Sequence, residues 1–460
     1  MQETMENIHF VGIGGVGMSG LAKILLEMGY HVSGSDLKES EITKRLKDLG
    51  AIIYQGHDKK NLNGANVVVV SSAIPKNNPE VIAAQEKQIP VWQRAEMLAR
   101  LMREKKGIAI AGAHGKTTTT SMISMILERN GFDPTIVIGG EVNDIGSNAK
   151  LGKGEYLVAE ADESDGSMLR LDPTIAVVTN IEDDHLDHYG SMENIVKAFV
   201  EFINKIPPEG FVLLCKDNIN VEKIMDSLKV KTITYGLQEN GDYLAKEVKM
   251  DNLSSSFQVW AYGKLLGKIT LRVPGLHNIY NALAATAICL EQGVSFEQIN
   301  FSLALFSGVQ RRFQIIGRIN DIMVVDDYAH HPTEIKVTLQ AAQDGWEGRV
   351  IAVFQPHRYT RTKLLHDEFA KAFSQADIII LNEIYSAGEN PIPGITGENL
   401  CLAVKQYEGR EVTILCTKEE IVEHLLEIVQ PGDLILTIGA GDIWMVAKEL
   451  VTKLKETIGK

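Results

Sequence analysis

The sequence has few of the features that mark an exported or membrane-bound protein. Its four cysteines, Cys215, Cys289, Cys401 and Cys416, are far apart and show no C-x-x-C spacing. That usage is typical of reduced thiols and provides no zinc framework. No apolar run approaches the length needed to cross a bilayer, and the N-terminus MQETMENIHF does not have the pattern of a signal peptide. We therefore expect a cytoplasmic protein with no membrane partner.

Positive charge is also scarce. The chain has 46 Lys and Arg residues against 60 Asp and Glu residues, a formal net charge of -14. Nucleic acids and anionic membranes attract basic surfaces, so we expect no nucleic-acid partner. The hydrophobic fraction of 45% is ordinary for a globular protein. Because 460 residues exceed what one hydrophobic core usually serves, we expect two to three domains.

Short β-branched runs alternate along the chain with amphipathic stretches of helical period, a pattern typical of parallel α/β units. The pattern restarts after the polar run REKKG and again after GVQRRF. The predicted fold class is therefore α/β with three domains, at residues 1–106, 107–312 and 313–460. Between residues 231 and 273 the runs TITYG, YLAKEVKM, SFQVWAYG and KITLRV alternate with turns, which predicts an antiparallel patch on the central domain.

The motif GIGGVG at residues 12–17 predicts a diphosphate-binding turn. Its glycines match G-x-G-x-x-G between a predicted strand and a predicted helix, and Asp36 ends the next strand. Glycine lets the backbone approach a pyrophosphate at the helix N-terminus. Taken alone, the motif suits a nicotinamide dinucleotide with Asp36 on a ribose, a UDP-sugar, or a tight turn without a ligand.

A second glycine turn, AGAHGKTTTT at residues 111–120, predicts a phosphate loop for ATP. A full Walker loop needs glycine at position 110, where this chain has Ile110, so the turn is the shorter G-x-x-G-K-T. Its backbone amides would hold phosphate oxygens, and Lys116 would neutralise the β- and γ-phosphate charge. The hydroxyl of Thr117 would bind Mg²⁺.

Two acidic clusters follow predicted strands downstream of this loop. They are EADESD at residues 160–165 and NIEDDHLDHYG at residues 180–190. Ligands bind α/β sheets at the carboxyl ends of the strands, and carboxylate and imidazole groups suit a hard metal held partly by phosphates. Either cluster alone is also typical of a solvated acidic turn. Together in one phosphate-loop domain they favour a Mg²⁺ site.

Seven motifs in order resemble the Mur ligase family, ATP-dependent amide-bond-forming enzymes of peptidoglycan synthesis, over essentially the whole chain. They are GAHGKTT, EADESD, NIEDDHLD, GLHNIYNALAA, GVQRRF, DDYAHHPTE and QPHRYTRT. GIGGVGMSG and HRYTR resemble the branch that adds L-alanine to UDP-N-acetylmuramate. The alternative within the family is a recycling ligase that joins a murein tripeptide to the same sugar nucleotide.

The resemblance implies a Rossmann-like UDP-binding domain, a P-loop ATPase-like central domain and a Rossmann-like C-terminal domain that binds the amino acid. The residues implied for the UDP substrate are Gly14, Gly15, Val16, Gly17, Asp36, Ser72 and Arg94. Those for ATP are Gly112, Ala113, His114, Gly115, Lys116, Thr117, Thr118, His277, Asn278, Asn281 and Arg312. Those for Mg²⁺ are Thr117, Glu160 and His185, and those for the amino acid are Tyr328, His330, His357, Arg358 and Arg361. Lys116, Glu160, His185 and Arg312 would be catalytic.

Two further points follow from the pattern. Some family members carry a carbamylated lysine where this chain has Phe199, and the nearby Lys197 should face another way on its helix, so we expect no such lysine. An NAD-dependent dehydrogenase would leave the second loop without a use, and a nucleotide-regulated binding module would leave the acid–histidine cluster without one. The pattern indicates no oligomeric state and no group that deprotonates the amine.

Overall fold

The structure is a computed structural model that describes residues 7–142, 147–251 and 253–458, without the side chains at 141, 142, 187, 457 and 458. Residues 1–6, on which part of the signal-peptide expectation rests, lie outside these ranges. The chain divides into two compact units. The first comprises Met1–Lys246, Gln258–Gly267 and Tyr280–Leu303, and the second comprises Glu247–Phe257, Lys268–Ile279 and Ala304–Lys460.

The first unit begins with a five-stranded sheet whose strands are all parallel. Its elements are β1 (Asn7–Val11), α1 (Val16–Glu27), β2 (His31–Asp36), α2 (Glu41–Asp48), β3 (Ile52–Gln55), β4 (Val67–Val70), α3 (Pro79–Glu86), β5 (Val91–Gln93) and α4 (Arg94–Arg103). The strand order is β3-β2-β1-β4-β5. The four valines of β4 are all buried, as expected for a parallel strand covered on both faces.

A ten-stranded sheet follows. Its elements are β6 (Lys106–Ala111), α5 (Lys116–Arg129), β7 (Thr135–Val142), β8 (Ser147–Lys150), β9 (Tyr156–Glu160), β10 (Ile175–Val178), α6 (Leu186–Tyr189), α7 (Met192–Ile203), β11 (Phe211–Cys215), α8 (Ile219–Ile224), β12 (Thr232–Gly236), β13 (Tyr243–Asp251), β14 (Ser254–Ala261), β15 (Lys264–Leu271), α9 (Leu276–Glu291) and α10 (Phe296–Ala304). The order is β15-β14-β13-β12-β11-β10-β6-β9-β7-β8. The division between the two units runs through β13, β14, β15 and α9.

The predicted antiparallel patch is only partly correct. A two-residue turn, Tyr262 and Gly263, joins β14 to its sheet neighbour β15, and only an antiparallel pair can be joined so tightly. TITYG, however, forms β12 and pairs in parallel with both β11 and β13. Parallel pairing therefore continues through β12 to β13, two strands further than the alternating pattern suggested.

The second unit contains a six-stranded sheet. Its elements are β16 (Gln314–Ile319), β17 (Ile322–Asp327), α11 (Pro332–Gly345), β18 (Val350–Phe354), α12 (Tyr359–Leu364), α13 (His366–Ala370), β19 (Ile378–Leu381), α14 (Gly397–Glu408), β20 (Thr413–Ile414), α15 (Lys418–Ile428), β21 (Leu434–Ile438) and α16 (Trp444–Ile458). The order is β16-β17-β21-β18-β19-β20, and only β16 pairs in an antiparallel manner.

Three separate sheets, mostly parallel and flanked by helices, confirm the predicted three-domain α/β fold class. Short 3₁₀ turns occur at Lys59–Leu62, Ser167–Arg170 and Met225–Ser227. The predicted domain boundaries stay predictions. Among the helices of the described ranges, none is both long enough and apolar enough to cross a membrane.

Candidate active site

The second glycine turn leads directly into α5. Gly112 and Gly115 have φ values of 135° and 84°, a region that glycine adopts at little cost. A Cβ atom on Gly115 would lie 2.6 Å from Oδ1 of Asn281, so this turn also needs glycine for space. The Thr119 hydroxyl donates to the same Asn281 oxygen at 3.1 Å. Asn281, predicted to bind the nucleotide, therefore lies against the phosphate loop.

Lys116 begins α5 and turns its ammonium group back into the loop. It donates to the carbonyl oxygens of Gly112 at 2.6 Å and Ala113 at 3.0 Å, and to Oε1 of Glu163 at 2.8 Å. The imidazole Nε2 of His185 lies 3.6 Å from the same Glu163 oxygen. The structure thus brings Lys116 and His185 together around a carboxylate that was not among the predicted site residues.

The carboxylates around the loop favour the protonated forms of its basic side chains. Burial alone would lower the pKa of Lys116, but the charges of Glu163, Asp162 and Glu160 outweigh it and raise that pKa. Burial likewise opposes protonation of His185, yet Glu163 and Asp184 raise its pKa above the ordinary value. The cluster therefore attracts cations wherever its carboxylates are not already paired.

The remaining loop residues are held by neighbouring strand ends. The carbonyl oxygen of His114 accepts from the Thr179 hydroxyl at 2.6 Å and from the Asn180 amide at 3.0 Å. Its ring Nε2 lies 3.3 Å from Glu182, and Thr118 is buried in α5. The end of β10 thus supports the turn, as expected where parallel strands end at a ligand site.

The donor set suits a hard divalent cation. Glu160 ends β9, where its Oε1 accepts from the Gly139 amide at 2.8 Å, and Thr117 follows Lys116 in the first turn of α5. Within the described ranges, no three His, Cys, Asp or Glu side chains form a group able to hold a metal. Carboxylates, an imidazole and a hydroxyl therefore fit Mg²⁺ only if nucleotide phosphates supply other ligands.

The first glycine loop is tied to the strand beside it. The Gly14 amide donates to Oδ2 of Asp36 at 2.9 Å, and the Gly12 and Ile13 amides donate to the Ser35 carbonyl. Gly15 caps α1, whose first residue Val16 is 43% exposed. The carboxylate of Asp36 thus accepts a hydrogen bond from the loop itself. The motif had predicted a contact of Asp36 with a ribose, and not this contact.

Arg94 lies between the first glycine loop and the EADESD segment. A Cβ atom on Gly17 would lie 3.1 Å from the Arg94 side chain, so this glycine admits the guanidinium. The same guanidinium is 3.4 Å from Asp162 of EADESD. Ser72 is exposed in the turn after β4, and its neighbour Ile74 lies against Gly12. Arg94 therefore lies against the first glycine loop and EADESD, whereas Ser72 is exposed.

The second unit gathers the other predicted residues. Burial and the nearby charge of Arg312 lower the pKa of His277 to about 4, so its ring is neutral at physiological pH. The Arg312 guanidinium is 3.5 Å from Glu334, and the Asn278 amide donates to the Pro274 carbonyl at 2.7 Å. The neutral imidazole of His277 is suited to contact a nucleobase, and the partly exposed guanidinium of Arg312 is suited to contact a phosphate.

The residues predicted to bind the amino-acid substrate are aromatic and basic side chains that lie close together. His330 packs edge-on against Tyr328, with 5.5 Å between centroids, and lies 6.3 Å from the His357 ring. Burial is the main cause that lowers the pKa of both histidines to about 4, and the charge of Arg361 adds to it. Arg358, at φ 72°, precedes α12 and is exposed. The predicted set is thus assembled as one cluster.

Models of three Mur ligase domains match successive parts of the chain. The Mur ligase family catalytic domain matches residues 7–106, the Mur ligase middle domain residues 110–289, and the Mur ligase glutamate ligase domain residues 311–441. The chain belongs to the Mur ligase family. This confirms the resemblance drawn from the seven motifs.

Curated relatives match the Mur ligase over its full length. A UDP-N-acetylmuramate--L-alanine ligase of Geotalea daltonii is 56% identical over 99% of this chain and 100% of its own. A ligase of the same name from Pelotomaculum thermopropionicum is 52% identical, with 98% of each chain covered. Such identity over whole chains makes this protein a ligase as well.

Two solved structures separate the branches of the family. The UDP-N-acetylmuramate-alanine ligase of Thermotoga maritima superposes with a TM-score of 0.83 at 31% identity, covering 98% of this chain and 99% of that one. A murein peptide ligase of Psychrobacter arcticus gives 0.71 at 26% identity, covering 97% and 98%. The alanine-adding branch is the more similar of the two.

Three residues that contact predicted site residues, one in the first unit and two in the second, were not predicted from the sequence. Glu163 and Glu334 lie inside quoted motifs, EADESD and DDYAHHPTE, but the motifs alone do not show which carboxylate faces the basic groups. Tyr385 stacks on His357 and belongs to no motif. Only the spatial contacts identify these side chains.

Helix α7 has the apolar residue Phe199 at the position where some Mur ligases carry a carbamylated lysine. Phe199 is 1% exposed and packs in the core beneath α7. Lys197 is exposed on another face of the helix. The buried face of α7 therefore carries a phenylalanine, and not a lysine, at this position.

Proposed function

We propose that this Mur ligase joins L-alanine to the carboxylate of UDP-N-acetylmuramate in the cytoplasm. ATP is consumed, and the products are UDP-N-acetylmuramoyl-L-alanine, ADP and phosphate. Relatives that bear the name of this activity at 51% to 56% identity support the choice of substrate. The structural observation that carries the chemistry is the partly buried ammonium of Lys116, held inside a glycine turn at the start of α5.

The first step activates the carboxylate. A muramyl carboxylate oxygen attacks the γ-phosphorus of ATP, the bond to the ADP oxygen breaks, and an acyl phosphate forms. Lys116 and the amides of the turn stabilise the negative charge that spreads over the transferring group. Thr117, Glu160 and His185 would hold Mg²⁺, which when bound supplies further positive charge at the β- and γ-phosphates.

The second step forms the amide. The alanine amine attacks the acyl carbon, the carbon–oxygen bond to phosphate breaks, and the nitrogen loses a proton to solvent. Arg361 or Arg358 would hold the alanine carboxylate, because a guanidinium fork matches two carboxylate oxygens. His330 and His357, whose low pKa keeps them neutral at pH 7, would line the pocket without adding positive charge that repels the alanine ammonium group.

The first glycine loop would bind the diphosphate of the sugar nucleotide, which is not cleaved. Gly14, Gly15 and Gly17 bring backbone close to it, and Arg94 would supply a positive charge. Asp36, on the Gly14 amide, would hold the loop in shape. Two phosphate cradles of different design thus serve two substrates, one a diphosphate that persists and one a triphosphate that reacts.

The recycling ligase is the second candidate, since a murein peptide ligase also superposes over nearly the whole chain. Phosphate release should be measured with ATP, Mg²⁺ and UDP-N-acetylmuramate, comparing L-alanine, glycine, L-serine and an L-alanine-led tripeptide. We expect release that needs the sugar nucleotide and is fastest with free L-alanine. Release with the tripeptide alone would assign recycling, and release that ignores every amino acid would refute both.

A further inference from the structure

The ammonium group of Lys116 has no donor left for a phosphate. An ammonium carries three N–H donors, and three acceptors surround it, the carbonyl oxygens of Gly112 and Ala113 and Oε1 of Glu163. A phosphate oxygen can bind Lys116 only if one of these acceptors leaves. The two carbonyls belong to the turn itself, so Glu163 is the acceptor that can leave without unfolding the loop.

The carboxylate of Glu163 is only partly hydrogen-bonded where it meets this lysine. Its side chain is 5% exposed, and its Oε2 is buried with no hydrogen-bond partner among the described residues. Its carbonyl oxygen, in contrast, is fixed by the Tyr189 hydroxyl at 2.7 Å and the Gly166 amide at 3.1 Å. The backbone is therefore held while one carboxylate oxygen stays unsatisfied, a costly state for a buried charge.

We propose that Glu163 is an exchangeable counter-ion that takes the place of the nucleotide phosphates on Lys116 until ATP binds. The inference rests on the proposed function, because it takes the turn at residues 112–117 as the ATP site. A carboxylate and a phosphate offer the ammonium the same kind of anionic oxygen. Phosphates that enter the turn displace Glu163, and Lys116 exchanges one anionic partner for another.

The displaced carboxylate then needs a new cation. It lies beside incoming phosphates of like charge, in a partly buried site where repulsion is weakly screened. His185, 3.6 Å away, is one partner, and the divalent cation that accompanies the nucleotide is the other. Nucleotide without metal leaves Glu163 opposed only by His185. Glu163 therefore makes tight binding of the nucleotide depend on the metal.

The test is calorimetric titration of the whole protein with ATP, once in excess EDTA and once in Mg²⁺. Glu163→Gln keeps the shape of the side chain and removes its charge. We expect its Kd for metal-free ATP to fall about tenfold, the size of a charged hydrogen bond no longer broken on binding. Its Kd for ATP with Mg²⁺ should change less or rise. The Kd for metal-free ATP divided by the Kd for ATP with Mg²⁺ should therefore be smaller in the variant than in the wild type.

Glu182→Gln is the matched control. Glu182 lies near the same turn, on His114 rather than on Lys116, so its loss changes the local charge equally without freeing the lysine. We expect its effect on metal-free ATP to stay within about twofold. An equal gain in both variants would reduce the effect to general electrostatics and overturn the proposal.

Other outcomes are equally decisive. If Glu163→Gln binds ATP with Mg²⁺ more weakly and metal-free ATP unchanged, Glu163 is a metal ligand only and the counter-ion role is wrong. If the wild-type protein binds no ATP under either condition, the proposed function fails rather than this inference. Glu163→Asp keeps the charge and should depend on Mg²⁺ as the wild type does. That result would show that the altered ATP affinity of Glu163→Gln is not caused by a folding defect.

Discussion

The ring of His357 lies parallel to the ring of Tyr385, with 5.5 Å between their centroids and 9° between their planes. The contact is reinforced by the backbone, because the Arg358 amide donates to the Tyr385 carbonyl at 2.8 Å. Tyr385 thus supports both the histidine and the arginine that precede α12. Two residues predicted to bind the amino acid are therefore held by a residue outside every family motif.

Replacing Tyr385 with alanine should weaken the pocket without harming the nucleotide site. An aromatic pair contributes about 0.5–1.5 kcal/mol beyond burial, so we expect the KM for L-alanine to rise about three- to tenfold. Tyr385→Phe keeps the stacked ring and should retain the wild-type KM. Steady-state kinetics with L-alanine and ATP varied separately would check this; a rise in the KM for ATP of the same size would contradict it.

Arg361→Ala should raise the KM for L-alanine more than the KM for ATP. The guanidinium lies close enough to His330 and His357 to depress the pKa of both, which places its charge within the pocket. Loss of a bidentate partner for the substrate carboxylate should cost about tenfold or more. Lys363→Ala, on the same short helix, is a control that should leave both constants near the wild-type values. Equal effects of Arg361→Ala on the two substrates would place Arg361 elsewhere.

Lys116→Ala should abolish phosphoryl transfer while the sugar nucleotide still binds. A preorganised charge of this kind raises the turnover rate by a factor of about 10²–10³. Phosphate release measures the first effect, and equilibrium binding of UDP-N-acetylmuramate measures the second. Turnover within about tenfold of the wild type would remove Lys116 from the mechanism.

Gly115→Ala tests whether the turn needs space as well as flexibility. Gly115 and Gly131 have nearly equal φ values, 84° and 82°, but a Cβ atom meets Asn281 at 2.6 Å only at Gly115. Both substitutions should cost about 1–2 kcal/mol of backbone strain. We expect ATP binding to weaken only in Gly115→Ala. Calorimetry and urea unfolding of both variants separate the two effects, and equal ATP affinities would show that the Asn281 contact is dispensable.

Stability should fall in acid as Glu80 takes up a proton. Burial alone would raise the pKa of this carboxyl, but its contacts with His9, Ser35 and Asn61 outweigh that and lower the pKa to about 2. A depressed folded-state pKa contributes stability above the ordinary value of 4.5, and this contribution is lost as the pH falls from 4.5 towards 2.

From this shift in pKa we expect ionised Glu80 to contribute about 3 kcal/mol to the free energy of unfolding at neutral pH. Glu80→Gln should therefore be less stable than the wild type at pH 7, and the difference should shrink below pH 4. Urea unfolding at pH 7, 4.5 and 3 measures it. A variant whose deficit stays constant across this range would show that the charge of Glu80 is not the cause. Glu41→Gln, at an exposed end of α2, is a control without pH dependence of this size.

The sequence predicted most of the elements on which the site is built, because their signals are local. The glycine turns at 12–17 and 112–115 each require positive φ or close approach, and both precede a helix as expected. The limit appears at TITYG, whose alternating pattern suggested an antiparallel strand. Its parallel pairing with β11 and β13 is a tertiary contact, and the alternation of its own residues does not encode the direction of that pairing.

What the sequence by itself determined is the fold class, the family and the positions of the two glycine turns, since turn chemistry and motif order reside in adjacent residues. Only the tertiary structure decided which of the acidic side chains in EADESD faces Lys116, and that Tyr385 stacks on His357. Neither contact can be read from spacing. Both follow from where whole strands end relative to one another, and long-range packing sets that geometry.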